Sequence, residues 1–497
     1  MNGAAGRVAI VAVFCVIAFA ACNSRSRGER LAKSYCATCH LFPEPALLDK
    51  KSWIRGVLPQ MGIRMGIADS SISQGPYGNP YLATLARPVS RSEWDKIVAY
   101  YTTNAPDVLP PPSLPASPTL DPPAFAVSPF VPQLQSTGII TLLEADSASR
   151  RIFVGEGGTN LLRVFDWQRR LVASVTLGSP PTSVLVDRDR VLVLESGILN
   201  PNDEPRGSLI QYTLEKDSLR FDRVLIDSLF RPVYMARLGD ALVICEFGNN
   251  RGRLALYRPN GARYERQLLA SSPGAIHVEV RDLTGDGKPD IVALFAQGDE
   301  RIVLFENDGS GHFTSQQVLA RFPPVYGSMY FSMQDFNGDG HPDIVHVNGD
   351  NFDYSRVLKP YHGVRILEND GANHFRQRYF YPLYGAAQAI VADFDHDGDL
   401  DLLVASNFAD AQNHPERGIV YLENTGNYTF KAYAFSAAAS NEWNVMTVAD
   451  LNGDGRLDVL VGAMDLRSVM NQQRRYSARS PQSAKDPILY FENHGGR

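Results

Sequence analysis

The sequence predicts a multidomain chain, a small all-α domain followed by an all-β propeller of seven blades. Three observations predict it. Residues 29–105 carry helix-period apolar patterns around a compact cysteine–histidine motif. A proline run then interrupts the chain. Beyond it an aspartate-rich nine-residue pattern recurs four times, its starts 53, 58 and 57 residues apart, with only strand and turn signals between them. A period of that size, built from strands alone, marks one propeller blade per repeat.

Length and composition agree. The 497 residues are too many for one ordinary domain and enough for two or three, and 44% hydrophobic content is that of a globular chain. A formal charge of −6 offers no basic footprint, which excludes nucleic acid as a partner.

Residues 1–22 read as a targeting segment and are set aside from the fold. Arg7 supplies its positive start, and the apolar run over 8–21 is shorter than the roughly 20 residues a spanning helix needs. The run ends in Phe19, Ala20, Ala21 and Cys22, which resembles a bacterial lipobox whose cysteine is lipidated and becomes the new N-terminus. A plain secretory signal is the alternative. Both imply export, and the lipobox implies attachment to a membrane through lipid on Cys22, on the periplasmic, outer-membrane or cell-surface side.

Cys36, Ala37, Thr38, Cys39 and His40 spell C-x-x-C-H. Two thiols at this spacing can both bond the vinyl groups of one porphyrin, and the histidine after them falls beneath the iron as an axial ligand. A zinc site would need a second Cys/His pair, and a thioredoxin-type pair would need a βαβ pattern. Neither is in the sequence, so a covalent haem c is expected on Cys36, Cys39 and His40. Residues 41–45 break the helix, a second helix is expected over 48–57, and the loop-like stretch 58–66 brings two methionines. A thioether as second axial ligand raises the haem potential. Met61, fixed by Leu58 and Pro59 before it, is the expected ligand and Met65 the alternate; either can instead be ordinary core. A capped helix over 92–101 follows, with Trp94, Ile97, Val98 and Tyr101 on one face. This segment resembles the class I cytochromes c, which implies that its last helix packs against its first beside the haem.

Of five cysteines, Cys15 leaves with the signal, and Cys245, within an apolar run, is expected to be a buried inert thiol. No disulfide framework is expected. Eight of the eighteen residues 106–123 are proline, a semi-rigid spacer that marks the domain boundary.

The propeller, residues 124–497, is read from its repeats. Positions 1, 3, 5, 7 and 9 of the pattern are Asp282, Thr284, Asp286, Lys288 and Asp290; Asp335, Asn337, Asp339, His341 and Asp343; Asp393, Asp395, Asp397, Asp399 and Asp401; and Asp450, Asn452, Asp454, Arg456 and Asp458. Side-chain oxygens at 1, 3, 5 and 9 with a backbone carbonyl at 7 are the spacing by which a tight loop wraps a hard cation, and glycine at 6 permits the turn. The twelfth-position Glu and flanking helices of an EF-hand are missing. A metal-free Asp-Gly hairpin is the alternative, but loops with three or more carboxylates each repel unless neutralised. Up to four Ca²⁺ ions are therefore expected, held most weakly where Thr284 stands at position 3 and most tightly by the five aspartates from Asp393. The pattern resembles the FG-GAP/VCBS repeat, whose propellers carry Ca²⁺ between the first two strands of a blade.

Each loop leads into an apolar strand and then into one ending in Glu-Asn, at Asn307, Asn369, Asn424 and Asn493. Plainer blades over 142–177, 182–226 and 232–269 bring the count to seven. The last repeat ends one strand short, so residues 125–131 are expected to close the ring.

The mature chain as a whole resembles bacterial VCBS-repeat lipoproteins with an N-terminal cytochrome c module. That resemblance implies a membrane-anchored c-type cytochrome serving a redox partner protein, with a calcium-stabilised propeller binding a partner, polymer or small molecule on one face. Polar loops beginning at Glu195, Asn348 and Asn407 are candidates for that face. So is the insertion over 463–485, whose Arg467, Arg474, Arg475, Arg479 and Lys485 suit an acidic partner. His277, Tyr330, Gln388, Trp443 and Asn444 are candidates for a central pocket. The competing reading is a dehydrogenase whose propeller oxidises a sugar, alcohol or aldehyde and passes electrons to the haem. No catalytic residue is assigned for it, since the Trp-rich repeats and quinone-binding constellation of quinoprotein dehydrogenases are missing.

Overall fold

Three helices, six four-stranded sheets and one five-stranded sheet organise the computed structural model, which describes residues 27–67, 89–112, 117–261, 263–313, 315–351, 357–464 and 486–495. The chain divides into two compact units: Met1–Pro111 with Pro323–Val325 and Asn351–Lys359, and the remainder. The targeting segment and most of the basic insertion lie outside the described residues. No helix among the described residues is long and apolar enough to cross a membrane.

In the first unit, helix α1 covers 27–36, α2 covers 50–64 and α3 is Arg91–Asn104. Helix α3 starts one residue before the expected 92 and runs three residues past 101; Ser90 and Glu93 fix its start with a reciprocal capping box. Helix α2 does not stop at 57. It passes through a π-turn, Trp53–Val57, in which the Leu58 amide donates to the Trp53 carbonyl, and runs on as Leu58–Arg64. Pro59 has no amide to donate and would crowd the carbonyl four residues back; the widened turn just before it relieves both problems. The expected methionine loop is therefore helix, with Met61 inside it and Met65 at its C-cap.

The core of this unit is aromatic. Trp53 and Tyr101 lie 4.4 Å apart, the Trp53 indole donates to the Pro45 carbonyl, and the Tyr101 hydroxyl donates to that of Pro43. Helices α1 and α3 meet closely at Gly28, where an added Cβ would stand 2.7 Å from the Lys96 carbonyl oxygen.

In the second unit the seven sheets are successive blades, over 140–176, 181–229, 232–270, 275–321, 328–382, 386–434 and 443–493. Strands are lettered a to d within each blade, from the axis outward; the a strands of successive blades touch one another. Strand b is buried along its whole length in blades 3 to 7, since both of its faces pack on blades, whereas d strands such as Arg263–Ala270 expose most of one face.

Blade 7 has only three strands of its own. Phe125–Pro129 pairs antiparallel with Ile488–Asn493 and supplies the fourth, closing the ring as the repeat count requires. Phe125 points into an aromatic cluster of Phe394, Tyr421, Phe435 and Phe491, with ring centroids 5.2 to 6.2 Å away. One strand was not foreseen. Thr119–Leu120, from the end of the proline-rich stretch, adds in parallel to Phe430–Ala434 as a fifth strand of blade 6. Asp121 fastens it by accepting from the amide and hydroxyl of Ser436.

Candidate functional sites: the cysteine pair, the aspartate loops and the channel

The cysteine motif sits where α1 ends. Cys36 is its last residue, the Thr38 hydroxyl donates to the Tyr35 carbonyl at 2.7 Å, and the chain bends at His40. Cys36 and His40 are buried and Cys39 is exposed; neither thiol is in a disulfide. Nδ1 of His40 lies 3.0 Å from the Leu41 carbonyl oxygen. A carbonyl only accepts, so Nδ1 bears the proton and the lone pair is on Nε2, the tautomer in which a backbone-anchored histidine ligates a metal. Burial pushes the Cys36 thiol up to about 11, although a hydrogen bond with Tyr101 works against it. A redox-active C-x-x-C pair needs a thiol shifted the other way. The donors present thus fit a haem better than dithiol chemistry. Met65 is buried and Met61 half-buried, and both pack in the core cluster that contains Cys36. Cys245 is fully buried and its thiol is pushed up by that burial, as expected of an inert core residue.

The four aspartate loops join strands a and b of blades 4 to 7, and they share one internal wiring. The position-1 carboxylate accepts from loop amides: Asp335 Oδ1 from Gly338 and Asp339 at 2.8 and 3.2 Å, and Oδ2 from Gly340 at 2.8 Å. Asp282 and Asp450 repeat this pattern, and Asp393 accepts from Asp397 and Gly398. Positions 4 and 6 are both left-handed. Glycine fills them except at His396, with φ 62°, which a non-glycine residue holds only under strain.

The position-9 carboxylates, Asp290, Asp343, Asp401 and Asp458, are fully buried at the start of strand b. Each accepts from an amide near the beginning of its loop and from the amide of the Glu-Asn asparagine on strand c, at 2.7 to 2.9 Å. That asparagine donates from its side chain to the position-8 carbonyl and accepts from a glycine amide two residues on. Asp loop and Glu-Asn are therefore two halves of one clamp. Tyr421 and Tyr490 add hydroxyl donors to Asp401 and Asp458, a role carried by a tyrosine that precedes Glu-Asn in both repeats.

An all-oxygen donor set suits a hard cation such as Ca²⁺. In the loop from Asp393, carboxylate oxygens of Asp393, Asp395 and Asp401 lie within 4.8 Å of one another. Burial, then the Asp397 charge, raises the Asp395 pKa, and burial brings Asp401 up to about 7. A bound cation would relieve that crowding. In the other loops position 3 is Thr284, Asn337 or Asn452, and the Asn337 amide donates to Asp339 at 2.9 Å.

On the opposite side, the anticipated polar loop residues prove to be anchors. Glu195 accepts from the amide and hydroxyl of Ser179, and Asn348 and Asn407 are buried. Of the channel candidates, His277, Tyr330 and Gln388 lie on a strands as expected. Trp443 does not face the axis: it is fully buried, its indole donates to the Ala438 carbonyl, and it packs in the core shared by blades 6 and 7. Asn444 occupies the bulge that each a strand carries at its second residue. Tyr234 joins the a-strand candidates unforeseen, its ring 4.2 Å from that of His277, since nothing in its local pattern marks that contact.

A profile of the FG-GAP-like repeat matches residues 282–346 and 409–461, stretches that contain the loops from Asp282, Asp335 and Asp450. No curated protein sequence matches the chain. Similar solved structures include Sqt1 of Saccharomyces cerevisiae, at 9% identity and TM-score 0.43, covering 73% of this chain and 97% of that one. They also include the Dos1 propeller, at 10% identity and TM-score 0.44, covering 72% of this chain and 79% of that one. The second unit of this protein is a seven-bladed β-propeller carrying FG-GAP-like repeats.

Proposed function

We propose that this protein is an exported c-type cytochrome, anchored by lipid on Cys22, that passes electrons to a redox partner while its calcium-stabilised propeller binds a partner or ligand. The carrying observation is the C-x-x-C-H motif at the end of α1, with His40 anchored through Nδ1 to the Leu41 carbonyl. Cys36 and Cys39 would hold the porphyrin through thioethers, and His40 would ligate through Nε2. The close approach of α1 and α3 at Gly28 supports a cytochrome c-like helix pair. Met65, buried at the end of α2, and Met61 are the candidates for the second axial position. When bound, the haem supplies a one-electron carrier. In the propeller, Ca²⁺ would sit in the aspartate loops and pin each a–b hairpin, leaving binding to the channel and the opposite face. Arg467, Arg474, Arg475, Arg479 and Lys485 would offer an acidic redox partner a basic contact.

The test is the visible spectrum of the purified chain before and after acid–acetone extraction. A haem band that stays with the protein, and is lost in a Cys36→Ser, Cys39→Ser variant, is expected. No retained band overturns the proposal. Haem reduction driven by an added sugar, alcohol or aldehyde would replace the carrier by the dehydrogenase.

A further inference from the structure

Blades 4 and 5 meet at a chain of three buried side chains. Glu300 stands in the turn between strands b and c of blade 4, Ser328 opens strand a of blade 5, and His346 lies on strand b of blade 5. Ser328 Oγ is 2.6 Å from Glu300 Oε2 and 2.9 Å from His346 Nε2. The carboxylate also holds the backbone: Oε1 accepts from the Gly327 amide at 3.0 Å and Oε2 from that of Ser328 at 2.8 Å. His346 is fully buried and stacked 3.8 Å from the ring of Phe322, and its Nδ1 has no hydrogen-bond partner among the described residues.

A serine hydroxyl carries one proton, so Ser328 donates to one of its two neighbours and accepts from the other. An ionised Glu300 only accepts. Ser328 then donates to it, and the serine oxygen takes a hydrogen bond from His346 Nε2–H, which leaves Nδ1 without a proton. A protonated Glu300 needs an acceptor, and the amide groups of Gly327 and Ser328 can only donate. The acceptor in reach is Ser328 Oγ, whose own proton turns to Nε2, so the imidazole proton stands on Nδ1. Either arrangement satisfies every bond along the chain, whereas a mixed one strands a buried donor.

The groups around the chain let Glu300 titrate and keep His346 neutral. Burial, then the Asp350 charge, raises Glu300 to about 7 against its hydrogen bonds. Burial and the Arg365 guanidinium hold His346 well below the usual imidazole range. Arg365 itself is brought down by burial to about 10 and remains a cation, and burial with the Glu300 charge pushes the Tyr361 hydroxyl up, so it remains neutral. Asp299, beside Glu300, is paired with Arg301 and Arg321 at 2.9 and 2.7 Å.

We propose that Glu300, Ser328 and His346 form a pH-sensitive switch at the seam of blades 4 and 5, in which ionisation of Glu300 reverses the Ser328 hydroxyl and moves the imidazole proton of His346 from Nδ1 to Nε2. The step balances: Glu300 passes its proton to Ser328 Oγ, Ser328 passes its own to Nε2, and one proton leaves the chain from Nδ1. The switch is independent of the haem and of the aspartate loops, since none of its residues belongs to either.

Ring-¹⁵N NMR of the full, calcium-loaded chain labelled at histidine distinguishes the two tautomers, with the His346 signals assigned through their contacts to the Phe322 ring. Nδ1–H at about pH 5 and Nε2–H at about pH 8.5 are expected, because these values bracket the titration of a carboxyl raised well above the ordinary glutamate range. The change should vanish in Glu300→Gln, which cannot ionise, and in Ser328→Ala, which cuts the link. One tautomer at both pH values, a doubly protonated ring at the lower one, or a change that persists in either folded variant overturns the proposal. Should neither variant fold, the parent chain alone decides it.

Discussion

At the scale of single residues, the carboxylates of the propeller separate into those that hold the backbone and those that, under the proposed function, would meet a cation. Glu300 is of the first kind. It is almost fully buried and accepts from the amides of Gly327 and Ser328 and from the Ser328 hydroxyl at 2.6 Å, yet burial pushes it up to about 7. The fold therefore holds this proton more tightly than the unfolded chain, where a glutamate titrates near about 4.3. The stabilisation is complete below the unfolded value and is lost as pH rises through 7. Denaturant unfolding of Glu300→Gln between pH 5 and pH 8 should show a flatter pH dependence than the parent chain; an identical slope would refute the assignment. Asp395 is of the second kind. Asp395→Asn should lower Ca²⁺ affinity of its loop about tenfold by removing one ligand charge, read by calorimetry, with the loop from Asp450 unaffected. Position 9 shows what the sequence left hidden: the aspartate spacing that ends at Asp401 was legible, whereas its bond to the Asn424 amide, 23 residues away, requires the paired strands.

At the scale of elements, blade count and ring closure were legible because a repeat that ends one strand short leaves an edge to be paired. Phe125→Ala should cost about 3–5 kcal/mol, since the ring leaves a cavity among four aromatic side chains that cannot collapse onto it. Thermal unfolding checks this, and a loss under about 1 kcal/mol would mean that the closing strand contributes little. The helix running through Pro59 was illegible, because proline reads as a breaker and a π-turn leaves no mark on apolar periodicity. Thr119–Leu120 was illegible too, as two residues carry no period at all.

At the scale of the whole molecule, four clamps of one design sit in consecutive blades 4 to 7, and the earlier blades have plain turns. Chelation should therefore act unevenly. Adding a calcium chelator should lower the melting temperature by several degrees and raise amide exchange at the a–b hairpins of blades 4 to 7, with blades 1 to 3 little changed. Uniform exchange across all seven blades would count against calcium as the local pin. The entry of the chain into the propeller also has a mechanical side. Its N-terminal segment first joins blade 6 through Thr119–Leu120 and the bonds from Asp121 to Ser436, and only then reaches the strand that closes blade 7. A pull on the chain from its N-terminal side thus loads the short parallel strand before the closing one, so that a small, easily re-formed attachment serves as a strain relief for the seam of the ring.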